Sequence, residues 1–247
     1  MSSHAAEHDL TPQGDCRQCR FRNSLLLAGR CLPGDACVAA HSGRQIDRFF
    51  RVNAEYAPYY LHDHFWERRA IAVKYSPLEL LDSVLDDSDE VVRRAVAARL
   101  PAEKIARMLD DPDREVRITV ADRLPPEQLE VLAEDNDYGV RTYVARRLPP
   151  GRLFRMINDP EREVRKIVAE RIPVVSLALL SFDSDPEVRR IVAERIDPAQ
   201  LGPLLRDRDW LVRYRAAERA LPAQLPAMLD DAEPDIRELA RARLAQS

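Results

Sequence analysis

The residues of this 247-residue sequence that could do chemistry lie close to its N-terminus. The cysteines follow the pattern C-x2-C-x11-C-x5-C and are Cys16, Cys19, Cys31 and Cys37. Four thiolates can hold a tetrahedral zinc ion or a [4Fe-4S] cluster. A zinc site more often ends in a second C-x2-C pair, and a disulfide framework would suit an exported chain. The spacing therefore leaves zinc, an iron–sulphur cluster and free thiols open.

Four arginines lie among these cysteines, with only Asp15 and Asp35 as acidic neighbours. The arginines are Arg17, Arg20, Arg22 and Arg30. Because a four-thiolate site carries net negative charge, nearby cations would offset that charge and raise the reduction potential of a cluster. The same residues could instead form a solvated basic loop or bind an acidic partner. His41, four residues after Cys37, is a candidate substitute ligand.

No arrangement of residues points to catalysis. The sequence has no Cys or His after His64, and it contains neither a phosphate-binding glycine loop nor an H-E-x-x-H motif. The segment His62-Asp63-His64 could bind a metal or supply a base, but it also fits the exposed surface of a helix. A cluster used for radical chemistry usually takes three cysteines and leaves one iron open, whereas four are available here. We therefore predict that the protein is not an enzyme.

Composition and charge bear on where the protein is located and on whether it binds nucleic acid. No apolar run approaches the ~20 residues that a membrane-spanning helix needs, and the first ten residues show no secretory signal. We therefore expect a soluble, cytoplasmic protein. The net charge of -4 and the pI near 5.8 disfavour binding to nucleic acid, because phosphate neutralisation needs an excess of Lys and Arg.

The rest of the sequence is an internal repeat of 24 residues, marked by Val-Arg pairs and a final Ile-Arg pair. These pairs begin at Val92, Val116, Val140, Val164, Val188, Val212 and Ile236. Val92, Val96 and Leu100 have the i, i+4, i+8 spacing of a helix. A second segment of about nine residues, such as 101–109, is also helical in pattern and short enough to be 3₁₀. Two short helices per unit predict an all-helical solenoid in which neighbouring units bury their apolar faces.

Charged residues and proline recur with the same period. Asp87 and its counterparts stand five residues before each Val, which predicts that they are the N-caps of the longer helices. Acidic residues two positions later suit the helix dipole, and prolines such as Pro101 end each longer helix. Two rows of arginine recur, one beginning at Arg69 and the other at Arg99. They could bind an acidic ligand, or they could hydrogen-bond to the Asp row and to helix carboxyl ends.

Two further regions bear on binding. Residues 46–75 hold eight of the 15 aromatic residues, which predicts a hydrophobic joint between the cysteine region and the first repeat. The position just after each repeated Arg varies and is the surface that we expect a protein partner to contact. Its residues are Arg94, Ile118, Thr142, Lys166, Arg190, Tyr214 and Glu238.

The unit Val-Arg-x-x-Val-Ala-x-Arg-Leu-Pro resembles that of the leucine-rich repeat variant family. The resemblance covers essentially the whole chain and departs from the pattern at Tyr75, Ser76 and Arg241, in the end units. It implies an all-α, α/3₁₀ right-handed superhelical solenoid preceded by a small domain whose four cysteines bind a [4Fe-4S] cluster. We place that domain at residues 1–50, a connecting segment to about residue 65, and about eight repeats over residues 66–247.

The resemblance makes redox sensing or electron transfer to a protein docked on the solenoid surface the leading functional hypothesis. A scaffold with a structural zinc ion or structural cluster is the first alternative. A cluster-dependent enzyme is the second. The same four arginines are the residues that we expect to tune the cluster.

Overall fold

The computed structural model describes residues 13–246, and the chain divides between Arg123 and Leu124 into two compact units. Within residues 13–246 the structure contains no strand, and its one β-like feature is an isolated bridge between Leu32 and Ala36. The α-helices are α1 (Gly43–Val52), α2 (Trp66–Tyr75), α3 (Glu90–Ala97), α4 (Ala102–Ile105), α5 (Arg114–Arg123), α6 (Tyr138–Arg147), α7 (Arg162–Arg171), α8 (Pro186–Arg195), α9 (Trp210–Arg219) and α10 (Pro234–Leu244). The all-α prediction is confirmed. The predicted domain boundaries at residues 50 and 65 stay predictions.

The segments between the longer helices are 3₁₀, apart from the four residues of α4. They are Ala54–Tyr60, Leu78–Val84, Ala106–Met108, Pro126–Glu134, Pro150–Met156, Val174–Leu180, Pro198–Gln200, Leu204–Arg206 and Pro222–Met228. Each repeat thus pairs one α-helix of about ten residues with a tighter, shorter one. Proline explains why several longer helices end, because a residue that precedes a proline disfavours the α conformation. Pro149, which precedes Pro150, has φ -54° and ψ 137° and is not helical.

The periodic apolar residues form the core of both units. In the first unit, Val92, Val96 and Leu100 are fully buried, and so is Ala97 beside them. The same stripe is buried in the second unit, for example at Val140 and its counterparts. A ten-residue helix is marginal in isolation, so burial of this stripe between neighbouring repeats supplies most of its stability.

The prediction that the Asp87 row caps the helices is wrong by two residues. The N-cap of α3 is Asp89, whose carboxylate accepts a hydrogen bond from the Val91 N–H at 3.0 Å. Asp137 likewise accepts from Gly139 and Val140 at the start of α6. Capping is therefore done by the second acidic row, for which the sequence pattern indicated only an interaction with the helix dipole. The N-cap glutamates of α7 and α10 make no side-chain cap bond.

The first Asp row instead forms a ladder with the first Arg row. Six arginines of that row donate through Nε and Nη2 to both oxygens of the Asp that lies 18 residues later, in the following repeat. The pairs are Arg69–Asp87, Arg93–Asp111, Arg141–Asp159, Arg165–Asp183, Arg189–Asp207 and Arg213–Asp231. These bonds from Arg213 hold the pKa of Asp231 below its ordinary value. Two parallel charge-assisted bonds also fix the geometry between successive repeats.

The second Arg row closes the carboxyl ends of the preceding helices. Arg123 donates to the carbonyls of Ala97 and Leu100, both at 2.7 Å, and Arg99 donates to Val73 and Ser76. The structural interpretation of both rows is therefore confirmed, since these guanidinium groups are occupied within the fold and are not displayed as a ladder for an acidic ligand.

The departures from the repeat pattern lie in the first repeat, which packs against α1, and in the last helix. The Tyr75 hydroxyl donates to Asp47 of α1 at 2.8 Å, and the buried Ser76 hydroxyl donates to the Ala72 carbonyl. Phe50 of α1 is fully buried and packs against the Tyr75 ring. The first repeat is thus adapted to the helix that precedes it, which confirms the predicted hydrophobic joint. Arg241, in the last helix, is exposed where the first repeat buries Val73 and the repeats between bury alanine.

Candidate metal centre

The cysteines are carried by irregular backbone ahead of α1. The Leu32–Ala36 bridge closes a tight turn with reciprocal backbone hydrogen bonds of 2.9 Å, and it brackets Gly34. Gly34 has φ +82°, a conformation that favours glycine over residues with a side chain. This turn reverses the chain between Cys31 and Cys37, so the two cysteines that follow the long spacer come back together.

All four cysteines line one small cavity. Its remaining wall is apolar and is made by Phe21, Pro33, Val38, Ala39 and Phe49. Cys37 is buried and the other three are partly buried. Four sulphur ligands around a shared apolar space are the arrangement that a tetrathiolate centre requires.

The thiols also influence one another electrostatically. Burial raises the pKa of Cys31, and the neighbouring Cys19, Cys37 and Cys16 raise it further. The pKa of Cys16 is raised in the same way, first by burial and then by Cys37 and Cys19. Four thiolates around one cavity repel each other, so the protein stabilises the deprotonated set poorly unless a cation or cationic cluster binds it.

The backbone comes close to the sulphurs at Gly14. A methyl group added there would stand 2.5 Å from the Cys37 sulphur, so no larger residue fits without displacing that ligand. Gly14 also offers its carbonyl to the Cys16 thiol at 3.9 Å.

The cavity supplies the ligands of a four-thiolate centre. Among residues 13–246, no three His, Cys, Asp or Glu side chains are grouped closely enough to surround one metal ion as they stand. Thiolates around tetrahedral zinc at ~2.3 Å would lie roughly 3.8 Å from one another, whereas a cube of four irons and four sulphides binds its thiolates at separate corners. The shared cavity provides the four sulphur ligands that either centre needs.

Helix α1 anchors this region. The Cys37 N–H donates to the Gln45 carbonyl at 3.1 Å, and Phe49 forms part of the cavity wall. Asn53, fully buried at the end of α1, donates to the carbonyls of Arg30 and Phe49. Asn53 belongs to none of the motifs found in the sequence, and the one signal for its role is its position directly after an amphipathic helix in a region rich in aromatics.

A solved structure described as a leucine-rich repeat variant with a novel repetitive protein structural motif is 60% identical to this chain. The match covers 95% of this chain and 100% of that one, with a TM-score of 0.88. The chain belongs to the leucine-rich repeat variant family. Residues 12–58 match the model described as the LRV protein FeS4 cluster, and residues 114–137 and 138–161 match the leucine rich repeat variant. This leucine-rich repeat variant therefore combines an iron–sulphur cluster domain with a helical repeat scaffold.

A relative from Rhodobacter capsulatus is more distant. It is named as an uncharacterized 27.7 kDa protein in the nifB 3' region and is 39% identical over 88 residues. That match covers 36% of this chain and 36% of the relative, so the two share about a third of their length.

The four arginines of this leucine-rich repeat variant differ in their contacts. Arg17 is paired with Asp15 and lies far into solvent, while Arg30 donates to Glu55 and to the Val52 carbonyl. Arg20 lies over the rings of Phe21 and Tyr59. Arg22 is the member of the set that lowers the pKa of the Cys16 thiol, against the larger effects of burial and the other cysteines.

The histidines within residues 13–246 do not line the cysteine cavity. His41 packs against the ring of Phe65 at 4.9 Å, and His64 is exposed beside Asp63. Asp63 itself accepts a hydrogen bond from Arg68 at 2.9 Å.

In the described part of the chain, no helix has the length and apolar character that crossing a membrane demands.

Proposed function

We propose that this protein holds a [4Fe-4S] cluster on Cys16, Cys19, Cys31 and Cys37 and uses it for redox sensing or electron transfer with a protein bound to its repeats. The observation that carries the proposal is the convergence of the four cysteines on one apolar cavity. When bound, such a cluster supplies one-electron transfer. The chain's own part is to hold four thiolates, to shield them with Phe21 and Phe49, and to place cations nearby.

A redox role is favoured over a purely structural metal by the accessibility of the site. Three of the four cysteines are only partly buried, so a partner could approach the cluster. We propose no catalytic role, because the site supplies ligands and cations but no acid, base or nucleophile beyond the thiols. We propose a cytoplasmic location, because a reducing compartment keeps such thiols from forming disulfides.

Metal and sulphide analysis tests the cofactor. Protein purified without oxygen should contain about four iron and four acid-labile sulphide per chain and should be brown. Inductively coupled plasma spectrometry and a sulphide assay measure both quantities. Stoichiometric zinc without sulphide would replace the proposed function with the structural alternative.

Arg22, the arginine that acts on the pKa of the Cys16 thiol, should raise the midpoint potential of the cluster. Arg22→Gln removes a cation beside a centre that gains negative charge on reduction, so the midpoint potential should fall. For an exposed charge the shift should be roughly 10–40 mV. Arg17→Gln is the matched control, because Asp15 already neutralises Arg17 and the midpoint should move less. Protein-film voltammetry compares the two, and equal shifts or none would remove the tuning role from Arg22.

A further inference from the structure

A groove of about 520 Å³ lies in the first unit, away from the cysteine cavity. Its floor is formed by small and apolar side chains of α2, of α3 and of Ala98 directly after α3, and Thr119 of α5 also lines it. The floor residues are Ala70, Ile71, Val91, Ala95 and Ala98. Its volume is within the range of natural binding sites, ~300–1,000 Å³.

Alanine stands in this groove where other repeats carry larger residues. Ala95 stands at the repeat position of Tyr143, Ile167 and Arg215. Ala98 likewise stands at a position where most repeats have a charged side chain. These are Asp122, Arg146, Glu170, Glu194 and Glu218. A groove of about 370 Å³ lies at the corresponding positions of α9 and α10, where Glu238 and Leu239 stand in place of Arg94 and Ala95. The scaffold thus forms grooves on this face, and this one differs in its alanine floor and in Arg94.

The rim of the groove is cationic. Arg94 is exposed and makes no ion pair within the described part of the chain, residues 13–246. The one carboxylate on the rim, Asp47, is already occupied, because it accepts hydrogen bonds from Lys74, Tyr75 and Arg51 at 2.7–2.8 Å. Positive charge therefore exceeds negative charge around an apolar floor.

We propose that this groove is a docking site for a peptide segment of a partner protein that presents apolar side chains next to a carboxylate. The apolar side chains would displace water from the alanine floor, and the carboxylate would pair with Arg94. The open groove, shared by three neighbouring helices, favours a chain segment over a small molecule, which would need enclosure. The inference rests on the interaction part of the proposed function and is independent of its redox part.

The groove also shares an element with the metal centre. Asp47 and Phe49 both belong to α1, the first on the rim of the groove and the second in the wall of the cysteine cavity. A partner segment bound there would touch the helix that shields the cysteines.

Two synthetic probes test the proposal on protein purified with its metal. One is a labelled amphipathic peptide of leucine and glutamate, and the other has lysine in place of each glutamate. The acidic peptide should bind in a fluorescence anisotropy titration, and the basic one at least about tenfold more weakly. Arg94→Glu should reverse this preference. Ala95→Ile with Ala98→Gln should abolish binding by filling the floor with residues of the size found in other repeats.

The matched control is Arg190→Glu in the second unit. Arg190 occupies the same repeat position as Arg94 but stands beside Ile191 and Glu194, so the change should leave binding unaltered. Equal binding of the two peptides, binding that survives the filled variant, or no saturation of the acidic peptide would each overturn the proposal. Binding of decanoate without binding of the peptide would also overturn it and would make the groove a site for small anionic amphiphiles.

The outcome separates this inference from the proposed function. A cluster that is reduced and reoxidised reversibly, in a protein that does not bind the peptide, would reject the docking proposal alone. Peptide binding by a protein that contains no iron or sulphide would reject the redox role and leave the groove standing.

Discussion

Replacement of Asp159 by alanine is expected to lower the free energy of unfolding by about 3–5 kcal/mol. Arg141 and Asp159 are both buried, with exposed fractions of 8% and 7%. The Arg141 Nε and Nη2 atoms donate to the two Asp159 oxygens at 2.7 and 2.9 Å. Without the carboxylate, a buried guanidinium keeps its positive charge and loses two of its hydrogen bonds. Asp159 also accepts from the Glu161 N–H, so that bond is lost as well.

A matched variant distinguishes this role from helix capping. Asp137→Ala removes the N-cap of α6, in the same unit, and should cost only about 1 kcal/mol. The double variant Arg141→Met with Asp159→Leu removes both charges together and should recover most of the loss, because an apolar pair can replace a buried ion pair. Urea unfolding followed by circular dichroism measures all three. Equal losses for Asp159→Ala and Asp137→Ala would return Asp159 to a capping role.

The error in assigning the caps has a clear physical origin. Asp87 and Asp89 both have the residue type that helix N-caps prefer, and both precede the first apolar residue of α3. Propensity cannot choose between them, because the choice depends on where the guanidinium of the previous repeat lies. The constant separation of 18 residues between the Arg and Asp rows was visible in the sequence. Only stacking of one repeat on the next turns that separation into a contact.

The 24-residue period of the sequence predicted the helical repeats more completely than it predicted the surroundings of the cysteines. Valine and alanine at fixed spacing were enough to identify the buried stripe, because burial depends mainly on residue type and periodicity. The cysteines were identified as a set from their type and proximity in sequence. The contacts of the surrounding arginines were not predictable from their types, since Arg17 pairs with Asp15 whereas Arg22 acts on the pKa of the Cys16 thiol. The charge of the groove likewise depends on which side chains neighbouring repeats bring to one face, since the corresponding groove of α9 and α10 has Glu238 where this one has Arg94.

Replacement of Cys16 and Cys19 together by serine should abolish iron and sulphide binding while leaving most of the helix intact. Two ligands cannot hold a four-thiolate cluster, so the loss of cofactor should be complete. The repeats should survive, because their core and their Arg–Asp ladder lie between neighbouring repeats and do not include the cysteines. Iron analysis and circular dichroism at 222 nm measure the two effects on the same sample.

The control for this variant lies in the same loop. Ser24 is exposed and outside the cysteine cavity, so Ser24→Ala should change neither the iron content nor the helical signal. The apolar contacts of the loop give a reason to expect local damage in the cysteine variant: Phe21 packs on Phe49 and Tyr56 with ring centroids 5.3 and 4.9 Å apart. If the cluster fixes that packing, loss of the cluster should loosen α1, and the disorder should spread no further than the first repeats. Loss of helical signal from the whole chain would show instead that the repeats need the cluster in order to fold. The protein would then be a metal-dependent fold and not a scaffold with an added redox centre.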